Sequence, residues 1–559
     1  GAFDAGQAAF LRYTTDGWAT SSVIKMSGAG TSYTATIPGS DNKPSTANQY
    51  YVFTSGDVTS IATADADLFT INANNNGGSN YTYTPAAGWT TAATGNWGTA
   101  GTWVANAVPP TGASMGAVSI GHAVTLNQSA IANSVNLSAA TPANLTLAAG
   151  QTLSIAAGGA ITRSSTAIIT ANATSTVRFL GAGSIGWLNT WGNLETGGAL
   201  TVTGVQTITT NFQINSGGSI SASPTYGAAG SLVYNTGGAY NTGNEWTSTA
   251  TTGAAASGRP LNVTVQNTGT NLSLSGNRGL AGSITVSAGA TLTANTGDLY
   301  IPVNFNNTGT FVPSSKAVFF TGTLAATVSN TGSGDFDYLV LQKSLGVNLQ
   351  LLSNITVAGS SGFPLQLVNT ITGGGINLNG FDLTLSGTGG GIHVGNAAAF
   401  VRNISGTGNL NITNGTKTVS RNALASGLLT IASTVNVQLS NGIDFGASIT
   451  THNGTLTINA GGFVTTNPPI YAATSNLVYN SGGAYAVGSE WTATADGVVG
   501  SGRPQNVTIQ NSTTLNMTTT SRSMAGNLNI ASGTLALNGT SGDLLIRGNW
   551  SNSGTFSPN

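Results

Sequence analysis

The chain has 559 residues, 78 of them glycine, with 40% hydrophobic and only 6% charged residues and a formal net charge of −1. That balance gives no electrostatic footprint for nucleic acid or an anionic membrane surface. With no cysteine, disulfides and thiolate metal sites are excluded. Disorder is disfavoured as well, because it accompanies low hydrophobicity and high net charge. No uninterrupted apolar run approaches the length of a membrane-spanning helix, so membrane insertion is not expected.

Residues 1–85 carry six acids (Asp4, Asp16, Asp41, Asp57, Asp65, Asp67) against three bases (Arg12, Lys25, Lys43). Short alternating runs, "AFLRYTT", "SVIKMSG", "SYTATIPG", "QYYVFTSG" and "DLFTINAN", are separated by Gly, Asp, Asn and Pro. Alternation broken by turn residues at this spacing predicts a small β-sandwich. The segment "NANNNGGSN" reads as a loop, and "YTYTPAAG" as the lead into the next unit.

From about Trp89 the texture changes. "NLTLAAG", "QTLSIAAG" and "AITRSS" place Leu145, Leu153 and Ile161 eight residues apart, and "LNVTVQN", "GSITVSAG" and "ATLTANTG" continue the theme. Each run offers two or three inward positions at period two and then a Gly/Asn/Ser corner. Residues 86–559 are therefore expected to form a long parallel β-helix (β-solenoid) with about three faces per turn. The alternative, an array of β-sandwiches, shares the short strands. Irregular strand spacing, few prolines within runs and no period of roughly 90 residues favour the solenoid. Gly and Asn suit the positive-φ corners, and stacked Asn side chains can form amide ladders.

A long block is written twice. "LVYNTGGAYNTGNEWTSTA" from Leu232 matches "LVYNSGGAYAVGSEWTATA" from Leu477, which aligns Tyr234 with Tyr479, Glu245 with Glu490 and Trp246 with Trp491, each offset by 245. "SGRPLNVTVQN" and "SGRPQNVTIQN" follow, then "GDLYIPVNFNNTGTF" and "GDLLIRGNWSNSGTF". The copies span about 225–311 and 470–556. The first continues into "SSKAVFFTGT" whereas the second stops at "GTFSPN", so the expectation is a chain truncated inside a repeat at its C-terminus. Any export signal before Gly1 is expected to have been removed or left out.

Chemistry-bearing residues are sparse. His122, His393 and His452 stand alone, without HxH or HExxH spacing. No GxSxG, Walker A or dinucleotide fingerprint occurs in the required strand–helix context. "GTGGGIHVG" is glycine-rich but precedes no helical pattern. From Trp89 onward ten acids are spread over 471 residues, and the one close pair is Asp335 and Asp337 in "GDFDY". Alternate strand residues share a face, so this pair, like Asp65 and Asp67 in "TADADLF", is a candidate for calcium, which needs six or more oxygen ligands. Turns bearing solvated acids are the simpler reading, and no cofactor is required.

Each Glu-Trp pair is followed thirteen or fourteen residues on by the Arg of "SGRP". Sparse charges that recur together suggest structural ion pairs, Glu245 with Arg259 and Glu490 with Arg503, fixing an inserted turn. Glycan stacking on exposed Trp246 and Trp491, and on Trp18 of the first domain, is the alternative. Catalysis is the least favoured, since a glycosidase needs two carboxylates flanking the scissile bond and no second acid accompanies either glutamate.

"GWTTAATGNWGTAGTWVANAVPP" followed by "GAVSIGHAVTL", with Trp89, Trp97 and Trp103 spaced before Val108-Pro109, resembles the opening of β-strand-repeat modules in large secreted bacterial surface adhesins. "GDLLIRGNWSNSGTF" is similar to a phrase recurrent in such proteins, many of them exported by the type IX pathway. Residues 3–85 resemble the immunoglobulin-like or carbohydrate-module-like sandwiches found beside them. The resemblance implies an extracellular, secreted or cell-surface location and a non-catalytic adhesive or fibre role. Implied partners are glycans or other cell-surface molecules, with self-association into filaments a variant. A β-helix polysaccharide lyase or hydrolase is the competing expectation.

Overall fold

In the computed structural model the described residues are 6–38, 41, 47–56, 58–85, 88–104, 108–111, 115–138, 144–164, 166–344, 346–368, 374–395, 400–422 and 428–558. Asp4 and Asp57 lie outside them. The chain is all-β, an N-terminal antiparallel sandwich and a parallel β-solenoid, and it divides into two compact units, Gly1–Pro224 and Thr225–Asn559.

In the first unit Gln7–Thr14 lies between Ser22–Lys25 and Asn48–Gly56, all antiparallel, and Asn48–Gly56 also pairs with Asn72–Asn74 and Tyr81–Tyr83. Period two sorts the side chains. Ala8, Phe10 and Phe53 bury one face under Ile61 and Ala66, with the Phe10 and Phe53 rings stacked at 5.5 Å. Leu11 and Val52, one residue out of phase, point to the opposite face, beside which Ser27–Ala29 and Ser32–Thr34 form a hairpin. Two sequence expectations need correction here. "DLFTINAN" is not one strand, because Thr63–Asp65 turns in a 3₁₀ helix and only Asn72–Asn74 pairs; Leu68 is 80% exposed. "YTY" is the last strand of the antiparallel sheet rather than a leader.

Parallel pairing begins at Gly88–Thr90. Leu145, Leu153 and Ile161 then occupy three different sheets, Asn144–Leu147, Thr152–Ile155 and Gly159–Arg163. The eight-residue spacing is thus one strand per face of a three-faced coil. Above and below, Val124 pairs with Leu145, Leu153 with Val177, and Val135 with Ile161. Trp97 and Trp103 are buried at the start of the coils, the Trp103 Nε1–H donating to the Trp97 carbonyl at 2.8 Å.

The second unit repeats this geometry. One inward column runs Ile355, Leu383, Leu410, Val437, Leu456, Leu477, Val507, Leu528 and Trp550, each in register with the next. Along the outside of the same sheet a ladder of amides links Asn409, Gln438, Asn459, Asn480 and Gln510 by hydrogen bonds of 2.9, 3.5, 2.7 and 3.2 Å. Such a ladder satisfies polar groups without charge, which in-register stacking would set against itself.

The two copies offer an internal control. The Asn307 amide is fully buried, donates to Asn330 Oδ1 (2.7 Å) and the Ser333 carbonyl (3.1 Å), and accepts from the Gly309 N–H. Its counterpart Asn552 is exposed and accepts from the Gly554 N–H. Asn307→Ala in this 559-residue chain should cost about 1–3 kcal/mol in denaturant unfolding, because buried partners are stranded. Asn552→Ala should stay within roughly 0.5 kcal/mol.

Candidate functional site

The duplicated Glu-Trp pairs sit where the chain leaves the coil. After Ala239–Asn241, and again after Ala484–Ala486, a loop runs out and returns through the "SGRP" turn. Ser257 bridges Thr225 and Ser501 bridges Ile470, each antiparallel. Gly258 and Gly502 hold φ near +60°, and a Cβ on either would run into the Thr247 or Thr492 hydroxyl. A side chain is therefore excluded at both places for the same reason.

Inside each loop the glutamate is the acceptor at the centre of a tyrosine cluster. Glu245 Oε1 accepts from the Tyr234 hydroxyl (2.9 Å) and the Gly243 N–H (2.7 Å), and Oε2 from the Tyr240 hydroxyl at 3.3 Å. The Tyr226 hydroxyl donates to the Glu245 carbonyl at 2.7 Å. In the second copy Glu490 receives Tyr479 (3.0 Å), Gly488 (2.8 Å) and Tyr485 (3.3 Å), and Tyr471 reaches its carbonyl at 2.9 Å. Burial raises the pKa of Glu490, opposed by the Gly488 N–H and the Tyr479 and Tyr485 hydroxyls. The same burial, with the carboxylate nearby, pushes Tyr234 and Tyr479 well above the ordinary phenol range.

The expected ion pairs are not formed. Arg259 donates to the Thr252 and Leu280 carbonyls, and Arg503 to Ser523 Oγ and the Val498 and Ala495 carbonyls. The physical reason is that tyrosine hydroxyls and a backbone N–H already fill the carboxylate, while the guanidinium supplies the loop carbonyls that no strand partner reaches. Trp246 and Trp491 are 0% exposed, with Nε1–H donated to the Gly279 and Ser523 carbonyls at 2.9 and 2.7 Å. Buried rings cannot stack on a glycan, so that assignment also falls.

No family model, curated protein or solved structure matches the chain.

The remaining candidates are scattered. Trp18 is half-buried, its ring 5.5 Å from Tyr51 and under the Arg12 guanidinium at 5.8 Å. Asp67 is paired with Arg12 at 2.6 Å, and its pKa is lowered mainly by that hydrogen bond; a cation there would compete with the guanidinium. Asp65 is exposed in the 3₁₀ turn. Asp335 and Asp337 point away from buried Phe336, and Asp337 accepts from the Ser315 N–H at 2.5 Å. Among the described residues no three His, Asp or Glu side chains are grouped to hold a metal ion. His122 bonds Thr91 at 3.0 Å and His393 bonds Ser420 at 3.3 Å, both contacts between neighbouring coils.

Several inward charges escaped the sequence reading. Lys343 is fully buried, with Nζ donating to the Pro302 and Thr321 carbonyls at 2.5 and 2.7 Å, and burial pushes its pKa down to about 8. Lys417 donates to the Gly387 and Gly389 carbonyls. Arg278, whose pKa burial lowers against the pull of Tyr234 and Glu245, donates to Ser275 Oγ at 2.7 Å. Strand parity was the available signal: Lys343 shares the phase of Leu339 and Leu341, and Lys417 that of Val419.

Glu490→Ala strands two hydroxyls and an N–H and should cost about 3 kcal/mol, with Glu245→Ala similar. A double-mutant cycle of Glu490→Ala with Arg503→Ala should give a coupling below about 0.5 kcal/mol, since no ion pair joins them; a coupling of several times that would restore the pair. His452 is fully buried between Phe445 and Tyr471, and burial pushes its pKa down to about 4, opposed only in part by the backbone of Gly454 and Thr455. Its folded state therefore binds the proton later than the unfolded chain does. Stability should be full above pH 6.5 and fall between 6.5 and 4, by about 3 kcal/mol in all. His452→Phe should remove that part of the acid sensitivity in pH-dependent urea unfolding.

Proposed function

We propose that this is a non-catalytic extracellular protein, a cell-surface adhesin or fibre subunit, whose solenoid supplies rigid length and whose N-terminal sandwich supplies contact with glycans. The observation that carries this reading is the placement of the duplicated chemistry. Glu245, Trp246, Glu490 and Trp491 are held inside the coils by tyrosines and backbone carbonyls, as staples of an inserted loop. Outward strand positions instead carry neutral polar side chains such as Thr384, Asn411, Gln438 and Thr508. Side chains of this kind offer many weak hydrogen bonds and no strong nucleophile or acid pair, which suits adhesion or lateral packing better than bond cleavage.

The adhesive reading needs no cofactor, and secretion by the type IX route belongs to it as the resemblance implies. Negative-stain imaging of the purified chain should show uniform particles, single or laterally associated, with no turnover of neutral or acidic polysaccharides in solution. Polysaccharide cleavage lost on Asp335→Ala would overturn it in favour of a lyase or hydrolase.

A further inference from the structure

The N-terminal sheet closes only one of its faces with a packed core. Over the other, residues 31–37 run as an alternating segment in which Tyr33, Ala35 and Ile37 turn inward and Thr34 and Thr36 stay exposed. They do not fill the space beneath. A groove of about 630 Å³ remains, lined by Leu11, Met26, Tyr33, Tyr50, Val52 and Tyr83 with Thr34–Ile37 above. A second, of about 480 Å³, lies on the other side of Tyr33 and Met26 and is bounded by Thr31, Thr54, Asn72 and Asn74. Tyr33, Met26 and Val52 line both, so the two are lobes of one elongated cleft. Each lobe falls in the size range of small-ligand sites.

The lining specifies a chemistry. Among the described residues, none that lines either lobe is charged, so the lining itself does not compensate the desolvation of an ionic ligand. Tyr50 stacks on Tyr81 at 5.4 Å and meets Tyr83 edge-on at 6.3 Å, which makes a row of rings across the sheet. The Tyr83 hydroxyl is fixed by the Asn48 amide at 2.8 Å and the Tyr81 hydroxyl by Asn74 Oδ1 at 2.8 Å. Ordered aromatic faces with hydroxyl tips, rimmed by threonine and asparagine, match a ligand with apolar C–H faces and hydroxyl edges. A peptide added as an extra strand would need a free strand edge, whereas this cleft lies on a sheet face.

We propose that this cleft binds a linear neutral oligosaccharide, with Tyr33 at the junction of two subsites and Tyr50 and Tyr83 as the stacking floor. The proposal rests on the adhesive reading and gives it a site different from Trp18. Trp18 packs with Arg12 and Tyr51 on the opposite face of the same sheet, which makes it a built-in control.

The test is calorimetric titration of the full chain with neutral hexasaccharides of glucose, mannose, galactose, xylose and N-acetylglucosamine. At least one should bind, and Tyr33→Ala and Tyr50→Ala should each weaken it roughly tenfold. Tyr33→Phe, which keeps the ring, and Trp18→Ala should retain most of the affinity. Unchanged circular dichroism separates loss of binding from loss of fold. Affinity indifferent to both alanine variants would overturn the cleft while leaving the adhesive reading intact. Failure of all five sugars, or binding of an uncharged peptide lost on the same substitutions, would also overturn it. The adhesive reading itself stands or falls on the imaging and turnover measurements.

Discussion

In-register parallel stacking sets every inward side chain directly between its counterparts in the coils before and after it. The column from Ile355 to Trp550, with a second buried column from Val357 to Ile530 beside it, shows how narrow the resulting core is, two residues wide on that face. A charge placed in such a column has no water and meets its neighbours at strand spacing, so its partners must come from the backbone of the surrounding coils. Lys343 and Lys417 obey this by donating to backbone carbonyls, Lys343 to Pro302 and the strand residue Thr321, and Lys417 to Gly387 and Gly389 at a corner. The low charge content of the whole sequence is what this constraint demands, and the amide ladder from Asn409 to Gln510 is its outward counterpart.

The same constraint explains why the Glu-Trp loops are copied as a unit. A loop leaving a narrow core takes backbone groups out of their ladders, and the carboxylate, the tyrosine hydroxyls and the guanidinium repay this jointly. Glu490 holds Tyr479, Tyr485 and Gly488, while Arg503 holds Val498 and Ala495. Replacing Glu490 strands its hydroxyls and N–H, and replacing Arg503 strands the loop carbonyls, each set independently of the other. Gly258 and Gly502 are tied in by sterics rather than hydrogen bonding.

Much of the architecture was legible because periodicity is a direct image of geometry. Leu145, Leu153 and Ile161 at eight-residue spacing report one strand per face, and the inserted loops were visible as a duplicated block. The partners of Glu245 and Glu490 were misread because charge was matched with charge, although Tyr234 and Tyr240, and Tyr479 and Tyr485, stand in both quoted stretches. A buried carboxylate in a nearly charge-free protein is more economically satisfied by hydroxyls, which cost less to desolvate than a guanidinium. The strand expected across "DLFTINAN" failed differently: its Leu68 and Phe69 follow a 3₁₀ turn that propensity alone does not reveal.

Nearest-neighbour stacking has a further consequence for how binding and length relate. Strand pairing joins each coil only to the coils beside it, so a block of several coils can be duplicated with its loop, although the first loop also reaches farther, its Thr251 carbonyl accepting from the Thr321 hydroxyl. A binding cleft built into such coils would be copied or distorted with them. The antiparallel sheet is organised differently, with one face committed to the Phe10–Phe53 core and the other released for Tyr33, Tyr50 and Tyr83. Its fold comes from its own strand pairing, so ligand chemistry there can change one side chain at a time while the coils vary in number.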